Sequence, residues 1–403
     1  MSKDLTIKPQ GGKLEFLDGL RGLMALNVII CHFICIYFPQ MMFEKFAEQD
    51  SGVLSLFAKT PLTILVNGDI AVRYFFVLTG LLVGMSSFTK RLSGEDVVRK
   101  CANRYLRLLP VVLIVTVFTY VCMVTGLQKH LLIVDQVAYG DFLDNYCNFE
   151  PTIFNLVRNI FFDPFCRNSQ YVGPFWTIRY EFWGYIFSLV VCYVLKDSKY
   201  RRVSYVAIAL ALFVQRFSQY IPFVLGIFVA DLLFNKNETL FGNYYEKILN
   251  KKWFCVCCYA TGLYFAACTK YFTGIYSFWG RIPFIDSQLL RAIGVALIVF
   301  VIMKSSVMQR IFELRIFKWL GKISYEVYAI HGPLMLSVEA GMFMLFINKY
   351  DYNVAACLAL VITLPVIYIS AILLHLLVKW IERLAVALKA RVKNRINDCK
   401  QNA

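Results

Sequence analysis

The sequence predicts an all-α membrane protein, a polytopic helix bundle of about ten transmembrane helices. Of its 403 residues, 59% are hydrophobic and only 17% are charged, too few polar side chains to cover a water-soluble protein of this size. Apolar stretches long enough to cross a bilayer recur along the whole chain. Lys and Arg are concentrated in alternate loops between these stretches, as expected for a chain that crosses the membrane repeatedly.

Ten apolar stretches are predicted to span the membrane, of which the fifth and sixth are short. They cover residues 19–39, 69–88, 106–126, 175–196, 202–217, 219–235, 253–271, 287–304, 323–347 and 354–380. Residues 1–18 are polar and lead into a full span without a small-residue cleavage site, so we expect no cleaved signal peptide.

The charge distribution predicts the orientation. With the N-terminus in the cytoplasm, 30 of the 42 Lys and Arg residues fall in inner segments and 9 fall in the five outer loops. Cytoplasmic loops hold such an excess, so we expect both termini to be cytoplasmic. The net charge of +16 then reflects topology and attraction to anionic lipid headgroups rather than nucleic-acid binding.

Three segments make up the predicted domain organisation. Residues 1–18 form a cytoplasmic N-terminal segment, residues 19–382 the transmembrane domain and residues 383–403 a basic cytoplasmic tail. The basic side chains of the tail are Lys389, Arg391, Lys393, Arg395 and Lys400. Attraction to lipid headgroups explains them as it explains the inner loops.

Two groups of cysteines are candidates for covalent or metal chemistry. Cys147 and Cys166 lie in the long outer loop 127–174 and could form a disulfide in an oxidising exterior. Cys255, Cys257 and Cys258 lack nearby His or acidic ligands. We therefore interpret this cluster as packing and expect no metal site.

His32 lies in the middle of the first predicted span, where an ionisable side chain is costly unless it faces a bundle interior or a watery cavity. Arg21 precedes it by eleven residues, which on an ideal helix places both side chains on one face about 16 Å apart along the axis. The two residues therefore form a candidate site. The alternative is a histidine satisfied by a neighbouring helix.

Three further ionisable side chains inside predicted spans are candidates for the same site. Arg73 lies in the outer part of the second span, Glu181 a turn or two into the fourth, and His331 about 13 Å along the ninth from its inner edge. Tyr328 precedes His331 by three residues and shares its helical face. Any one of these residues could simply hold helices together, but several at overlapping depths favour a polar cavity.

Arg104 and Arg107 open the third predicted span at the inner surface. Their spacing of three places both guanidinium groups on one helical face, where they suit a phosphate group. Taken alone, the pair is also an ordinary cytoplasmic flank of a membrane helix. Together with His32, it suggests a phosphorylated donor that enters from the cytosol and presents its reactive end to the imidazole.

Five segments, in order and at matching spacing, carry a resemblance to a known family. They are residues 17–22 with His32 (Arg, ten residues, His), residues 75–80 (FFVLSG, with Thr79 where Ser is usual), residues 104–110 (RxxRxxP), residues 176–181 (WSLxxE) and residues 320–331 (LGxxSYxxYxxH). By these motifs the chain resembles acyltransferase family 3 from Leu17 to about Glu382. Members of that family are membrane proteins that modify cell-surface carbohydrates and some other hydroxylated molecules.

The resemblance implies an O-acyltransferase that moves an acyl group, most often acetyl, from coenzyme A to a hydroxyl group. It makes His32 the leading catalytic residue, which we expect to act as general base; an acyl-histidine intermediate is the alternative. Arg21 would orient the donor or stabilise charge, and Arg73 would polarise the thioester carbonyl. Arg104 and Arg107 would hold the coenzyme A phosphates.

The supporting residues implied by the resemblance are Glu181, Tyr328 and His331. They would either orient the imidazole and the acceptor or only bind helices together. Acetyl-CoA or another acyl-CoA is a co-substrate, and no permanently bound cofactor is expected. The other expected partners are a hydroxylated carbohydrate or lipid-linked glycan as acceptor and the lipids of the plasma membrane, in which the chain would be a multi-pass protein.

Two departures from the family pattern limit what the resemblance implies. Glu382 is followed by Arg383 rather than Pro, so no role is carried over there. We also expect no appended extracytoplasmic esterase-like domain, so the chain would complete the transfer itself or hand the acyl group to a separate partner protein. The competing hypotheses are a transporter or flippase for a polar lipid-linked sugar and a catalytically silent interaction protein.

Overall fold

The computed structural model describes residues 14–50, 52–89, 93–235, 239, 248–269, 272 and 274–401, with side chains described as far as residue 387. Within this part of the chain every regular element is a helix, which confirms the all-α prediction. Residues 1–13 of the predicted N-terminal segment lie outside the described residues, as do the side chains of Lys389, Arg391, Lys393, Arg395 and Lys400 in the predicted tail.

In the described part of the chain, ten longer helices match the ten predicted spans and are labelled in chain order. They are α1 (Glu15–Tyr37), α2 (Gly68–Thr89), α3 (Gly94–Val124), α4 (Trp176–Leu195), α5 (Arg201–Val214), α6 (Ile221–Phe234), α7 (Lys252–Ala266), α8 (Ser287–Lys304), α9 (Ser324–Leu334, then a π-helical turn Met335–Glu339, then Ala340–Ile347) and α10 (Tyr352–Gln401). We call inner the side on which α1 begins and outer the side on which it ends.

Seven helices within the described residues are long and apolar enough to cross a membrane: α1, α2, α3, α4, α8, α9 and α10. The other three are shorter, with 14 residues in α5, 14 in α6 and 15 in α7. The chain is therefore a membrane protein built as a polytopic helix bundle. The full count of ten spans and the sidedness of the termini stay predictions.

Helix α3 begins at Gly94, well before the predicted start of the third span at residue 106. Ser93 explains the early start, because its hydroxyl accepts from the Asp96 N–H at 3.1 Å and the Asp96 carboxylate accepts from the Ser93 N–H at 3.2 Å. This reciprocal cap satisfies two main-chain donors at the helix start. Arg104 therefore lies about 15 Å along α3 by helical rise.

Shorter helical segments fill the connections. On the outer side they include Pro39–Met41, Glu44–Ala47, Ser55–Lys59 and Pro61–Leu65 after α1, and His130–Leu132, Val134–Gln136, Gly140–Asp144, Ile153–Phe161, Asp163–Cys166 and Gly173–Phe175 between α3 and α4. The remaining ones are Ser218–Tyr220, Gly274–Tyr276, Ser277–Gly280, Ser306–Phe312 and Arg315–Lys322.

The loop between α3 and α4 folds back over the outer end of the bundle. Leu143, Tyr171 and Val172 are buried in the same apolar core as α1 and α9. Cys147 and Cys166 are both free thiols, so the disulfide considered from the sequence is not formed. Burial raises the pKa of Cys147 to about 11, and its Sγ donates to the Tyr171 carbonyl at 3.1 Å.

Glycines set the position of α1 against the chain segment that leads into α9. A Cβ on Gly22 would lie 2.6 Å from the Gly321 nitrogen, and a Cβ on Gly321 would lie 2.0 Å from the Asp18 carbonyl oxygen. Only glycine permits this backbone contact. His32 follows Gly22 by ten residues and His331 follows Gly321 by ten, so the two imidazoles are at the same distance along the chain from one contact.

Candidate active site

Two imidazoles meet between α1 and α9. His32 Nδ1 lies 3.4 Å from His331 Nε2, and the ring centroids are 5.0 Å apart. His331 is fully buried, whereas His32 is half-buried and lines a cavity. The structure thus brings together two predicted site residues that are 299 positions apart in the sequence.

Main-chain carbonyls determine which ring nitrogens carry hydrogen. His32 Nδ1 is 2.9 Å from the carbonyl oxygen of Val28, and His331 Nδ1 is 2.6 Å from that of Tyr328. Because a carbonyl oxygen can only accept, both Nδ1 atoms donate. In the neutral rings His331 Nε2 is then an acceptor for His32 Nδ1–H, and the lone pair of His32 Nε2 is left for a substrate.

Polar contacts continue from this pair to α4. The Tyr328 hydroxyl donates to the Pro174 carbonyl at 2.7 Å and lies 2.7 Å from the Thr177 hydroxyl. Both side chains are buried. Thr177 precedes Glu181 by one helical turn and faces the same side of α4, so Tyr328 and Glu181 belong to one line of polar groups.

Glu181 is the meeting point of three helices. Its Oε1 pairs with Arg104 of α3 and accepts from the Thr79 hydroxyl of α2 at 2.7 Å. The Arg104 guanidinium also lies over the Tyr185 ring, 4.9 Å from the centroid. Arg104 Nε and Glu181 Oε2 are buried without a hydrogen bond in the part of the chain that the structure describes, so the pair retains unused hydrogen-bonding capacity.

Thr79 stands where the family motif usually has Ser, and its contact with Glu181 shows why Thr is tolerated. The hydroxyl that bonds to Glu181 is common to Ser and Thr, so the contact survives the replacement of the usual Ser. We call the groups Arg104, Glu181, Thr177, Tyr328, His331 and His32 the polar column; Thr177 and Glu181 are related in it by their shared helix face rather than by a hydrogen bond.

Arg104 and Arg107 differ from their predicted placement. Arg104 pairs with a partner that contacts Thr79, halfway along α2, so it lies inside the bundle rather than at its inner surface. This follows from the early start of α3. Arg107 is exposed, and of the two guanidinium groups it is the more accessible.

Arg73 belongs to a second cluster, at the outer ends of α2, α6 and α8. It is 1% exposed and donates to Asp69 at 3.0 Å and to the side chains of Gln219 and Gln288. Arg291 pairs with the same Asp69 carboxylate at 3.2 Å. These contacts tie α2 and α8 to the turn before α6 and occupy the Arg73 guanidinium with partners other than the imidazole pair.

Arg21 lies at the inner end of α1. Its guanidinium pairs with Asp18 at 2.9 Å and is partly exposed. Eleven residues separate it from His32, about 16 Å along the helix. The structure therefore places Arg21 near the inner surface and His32 beside the outer cavity. The hydrogen bonds of the two side chains among the described residues do not join them into a single site.

A shallow cavity opens beside His32, and the empty space of about 360 Å³ there includes open solvent at its mouth. It lies between the outer parts of α1 and α9 and the loop that joins α3 to α4. Its walls include Ile36, Phe142, Tyr146, Tyr171, Met335 and Leu336. Sequence reasoning missed the loop residues, because they have no helical periodicity and only the cysteine pair of the loop was predicted to have a role.

The roles of Gly173 and Thr177 in this region were also not predicted from the sequence. A Cβ on Gly173 would lie 1.8 Å from Tyr146 Cε1, so a glycine is needed for the Tyr146 ring to pack there. Thr177 lies within the motif segment 176–181, but only its partner Tyr328 was predicted as a site residue. The motif contains Thr177 and the loop contains Gly173, but the residues that they contact, Tyr328 and Tyr146, are distant in sequence.

Comparison with known families gives the functional class. The family model for an acyltransferase domain matches residues 14–372, nearly the whole chain. No curated protein and no solved structure matches the chain. The matched region contains both imidazoles, the Arg104–Glu181 pair and the cavity. The chain is therefore a membrane acyltransferase of acyltransferase family 3.

Proposed function

We propose that the protein moves an acyl group, in the simplest case acetyl, from acyl-CoA to a hydroxyl group of a carbohydrate or another cell-surface acceptor. The observation that carries this proposal is the imidazole pair at the cavity. His32 presents an unprotonated Nε2 there, while its Nδ1–H is oriented by Val28 and His331. A base held in this way is suited to remove a proton from an alcohol.

The transfer uses His32 as general base. As the acceptor oxygen attacks the thioester carbonyl, the O–H proton passes to His32 Nε2 and the new C–O bond forms. The C–S bond then breaks, and the leaving thiolate takes the proton from the imidazolium to give coenzyme A. His331 is a positioning residue in this scheme, because its hydrogen bonds and ring contacts among the described residues are with His32 and with its own helix.

The polar column supports an approach of the donor from the inner side. Arg107 is exposed, and Arg104 has an unused Nε–H, so both can contribute to holding the phosphates of coenzyme A. From there the column leads through Thr177 and Tyr328 to the imidazoles. Arg21 at the inner end and Arg73 in the outer cluster act on the donor only indirectly in this proposal.

The acceptor is proposed to enter through the outer cavity, so transfer ends on the outer side of the plasma membrane. The cavity is bounded by the loop that covers the outer end of the bundle, which fits this route. Transfer within the membrane domain needs no second carrier, although a separate protein could still receive the acyl group.

Label transfer from [acetyl-¹⁴C]acetyl-CoA in membranes tests the proposal. Wild-type membranes should form alkali-sensitive esters, and His32→Ala should lower the rate by roughly 10²- to 10⁴-fold. His375→Gln is the matched control, because His375 lies on α10 and its Nδ1 contacts Glu326 at 2.7 Å, outside the column. That variant keeps an amide donor and should retain transfer.

The other outcomes are equally informative. Equal label with wild type and His32→Ala would remove His32 from its role as base. Absence of label with every chain, together with movement of a lipid-linked sugar across the membrane, would favour the carrier hypothesis instead.

A further inference from the structure

The cavity beside His32 has mainly apolar walls. Ile36, Phe142, Met335 and Leu336 contribute hydrocarbon or aromatic surface. The titratable side chains in its wall are those of His32, Tyr146 and Tyr171. Such a lining differs from that of a sugar site, in which several polar groups must meet the hydroxyls of the ring.

Main-chain oxygens at the cavity are already engaged. The carbonyl of Tyr146 accepts from His130 Nε2 at 2.8 Å, that of Tyr171 from Cys147 Sγ at 3.1 Å, and that of Pro174 from the Tyr328 hydroxyl at 2.7 Å. The Leu336 carbonyl accepts from the Lys129 N–H at 3.0 Å. These hydrogen bonds hold the four carbonyl oxygens toward the protein rather than toward the cavity.

Of the two tyrosine hydroxyls in the wall, that of Tyr171 points elsewhere, since it donates to the Thr152 carbonyl at 3.4 Å. A pyranose set against these walls would therefore find few partners for its hydroxyls, which is unfavourable. A hydrocarbon body would instead gain from leaving water.

We infer that the group next to the acylated hydroxyl is apolar: the acceptor is an alcohol with a hydrocarbon body rather than a pyranose. This inference rests on the proposed function and narrows its acceptor class. The acceptor rather than the acyl chain is assigned to the cavity, because the cavity lies on the outer side of His32 and the donor route lies on the inner side.

A pair of matched probes tests the inference. Cyclohexylmethanol and methyl α-D-glucopyranoside each carry a primary hydroxyl on a six-membered ring, but only the second ring is polar. Membranes containing the full chain receive [acetyl-¹⁴C]acetyl-CoA and either probe at equal concentration. After subtraction of the His32→Ala background, we expect the alcohol to be acetylated at least about 10-fold faster.

A matched pair of variants places this preference in the cavity. Leu336→Asn puts an amide in the wall and should lower the ratio of the two rates by about 5-fold or more. Leu345→Asn makes the same change on the same helix, at a position that is 59% exposed. It should leave the ratio unchanged.

The failure of the inference and the failure of the proposed function give different results. His32-dependent acetylation that favours the glucoside, or that reaches endogenous acceptors and neither probe, would overturn the inference and leave the proposed function standing. An absence of any His32-dependent ester would overturn both.

Discussion

His32 and His331 form a hydrogen-bonded pair in which the order of the two rings is fixed by the backbone. Each Nδ1 faces a carbonyl, at 2.9 Å for His32 and 2.6 Å for His331, and His32 Nδ1 lies 3.4 Å from His331 Nε2. A proton added to His331 Nε2 would oppose the N–H of His32. The arrangement therefore requires a neutral His331, which keeps the basic nitrogen of His32 directed at the cavity.

Removal of the acceptor at His331 should impair transfer without abolishing it. His331→Phe deprives His32 Nδ1–H of one partner, and we expect kcat to fall by roughly 10- to 100-fold, less than the loss of the base itself. His331→Gln offers a carbonyl oxygen in place of Nε2 and should recover part of the loss. Initial rates of ester formation in purified, detergent-solubilised protein measure both variants. Equal losses in the Phe and Gln variants would show that a hydrogen-bond acceptor at this position does not contribute to transfer.

The Arg104–Glu181 pair should be worth more to stability than an exposed pair on the same helix. Arg104→Ala leaves the Glu181 carboxylate, which is 19% exposed, with Thr79 as its remaining partner, and we expect a loss of about 1–3 kcal/mol in the free energy of unfolding. Arg99→Ala removes the pair with Asp96, in which Arg99 is 72% exposed, and should cost about 0–1 kcal/mol. Denaturant unfolding in micelles compares them.

The same Arg104 variant separates stability from donor binding. If Arg104 contributes to holding coenzyme A, the KM for acetyl-CoA should rise in Arg104→Ala and remain at the wild-type value in Arg99→Ala. An unchanged KM in both variants would leave Arg104 with a structural role only. Arg107→Ala would then be the variant that reports on phosphate binding.

The backbone contact between Gly22 and Gly321 should tolerate no side chain. A Cβ on Gly22 would lie 2.6 Å from both the Gly321 nitrogen and Leu320 Cβ, so Gly22→Ala should destabilise the protein by about 1–3 kcal/mol. It should also lower transfer, because a shift of α1 against α9 moves the imidazoles apart. Thermal unfolding and initial rates measure the two effects.

Gly94→Ala is the control for this substitution. No atom lies within 4 Å of a Cβ at Gly94, in the first turn of α3. Alanine is also the better helix former by up to about 1 kcal/mol, so this variant should be as stable as the wild type or slightly more stable. A similar loss in both variants would contradict the role assigned to the Gly22 contact.

The fold could be predicted from the sequence because hydrophobic length and charge placement are local properties. Each long helix coincides with a predicted apolar stretch, and α3 begins before the predicted third span because polar residues continue a helix beyond its apolar part. The Ser93 cap marks that start, but a search for apolar runs does not detect it. The three short helices were likewise found as elements, although their spanning role stays a prediction.

The site could be predicted only in part, because motifs name residues and do not pair them. His32 and His331 were both predicted as site residues. Their contact, however, depends on the contact between Gly22 and Gly321, each ten residues earlier in its own chain segment. Arg73 was expected to act on the donor, but Asp69 one turn earlier holds it in another cluster. The cavity walls come from a loop whose conformation no periodicity encodes.

The outer loop provides a pH dependence that can be tested. His130 is 1% exposed, and its Nε2 contacts the carbonyl of Tyr146, a residue of the cavity wall. Burial lowers the pKa of His130 below its ordinary value of 6.5, and the backbone carbonyls of Tyr146 and Leu336, followed by the Asp144 carboxylate, offset only part of this effect. Its Nδ1 is buried with no hydrogen bond among the described residues.

Folding therefore favours the neutral form of His130. The associated stability is complete above about pH 6.5, the unfolded pKa, and is lost as the pH falls toward the lower pKa of the folded state; each unit of separation corresponds to about 1.4 kcal/mol. Thermal unfolding in micelles should show a lower Tm at pH 5.5 than at pH 7.5. His130→Gln keeps a donor for the Tyr146 carbonyl but does not titrate, so it should show a smaller fall. An equal fall in both proteins would assign the pH dependence to other groups.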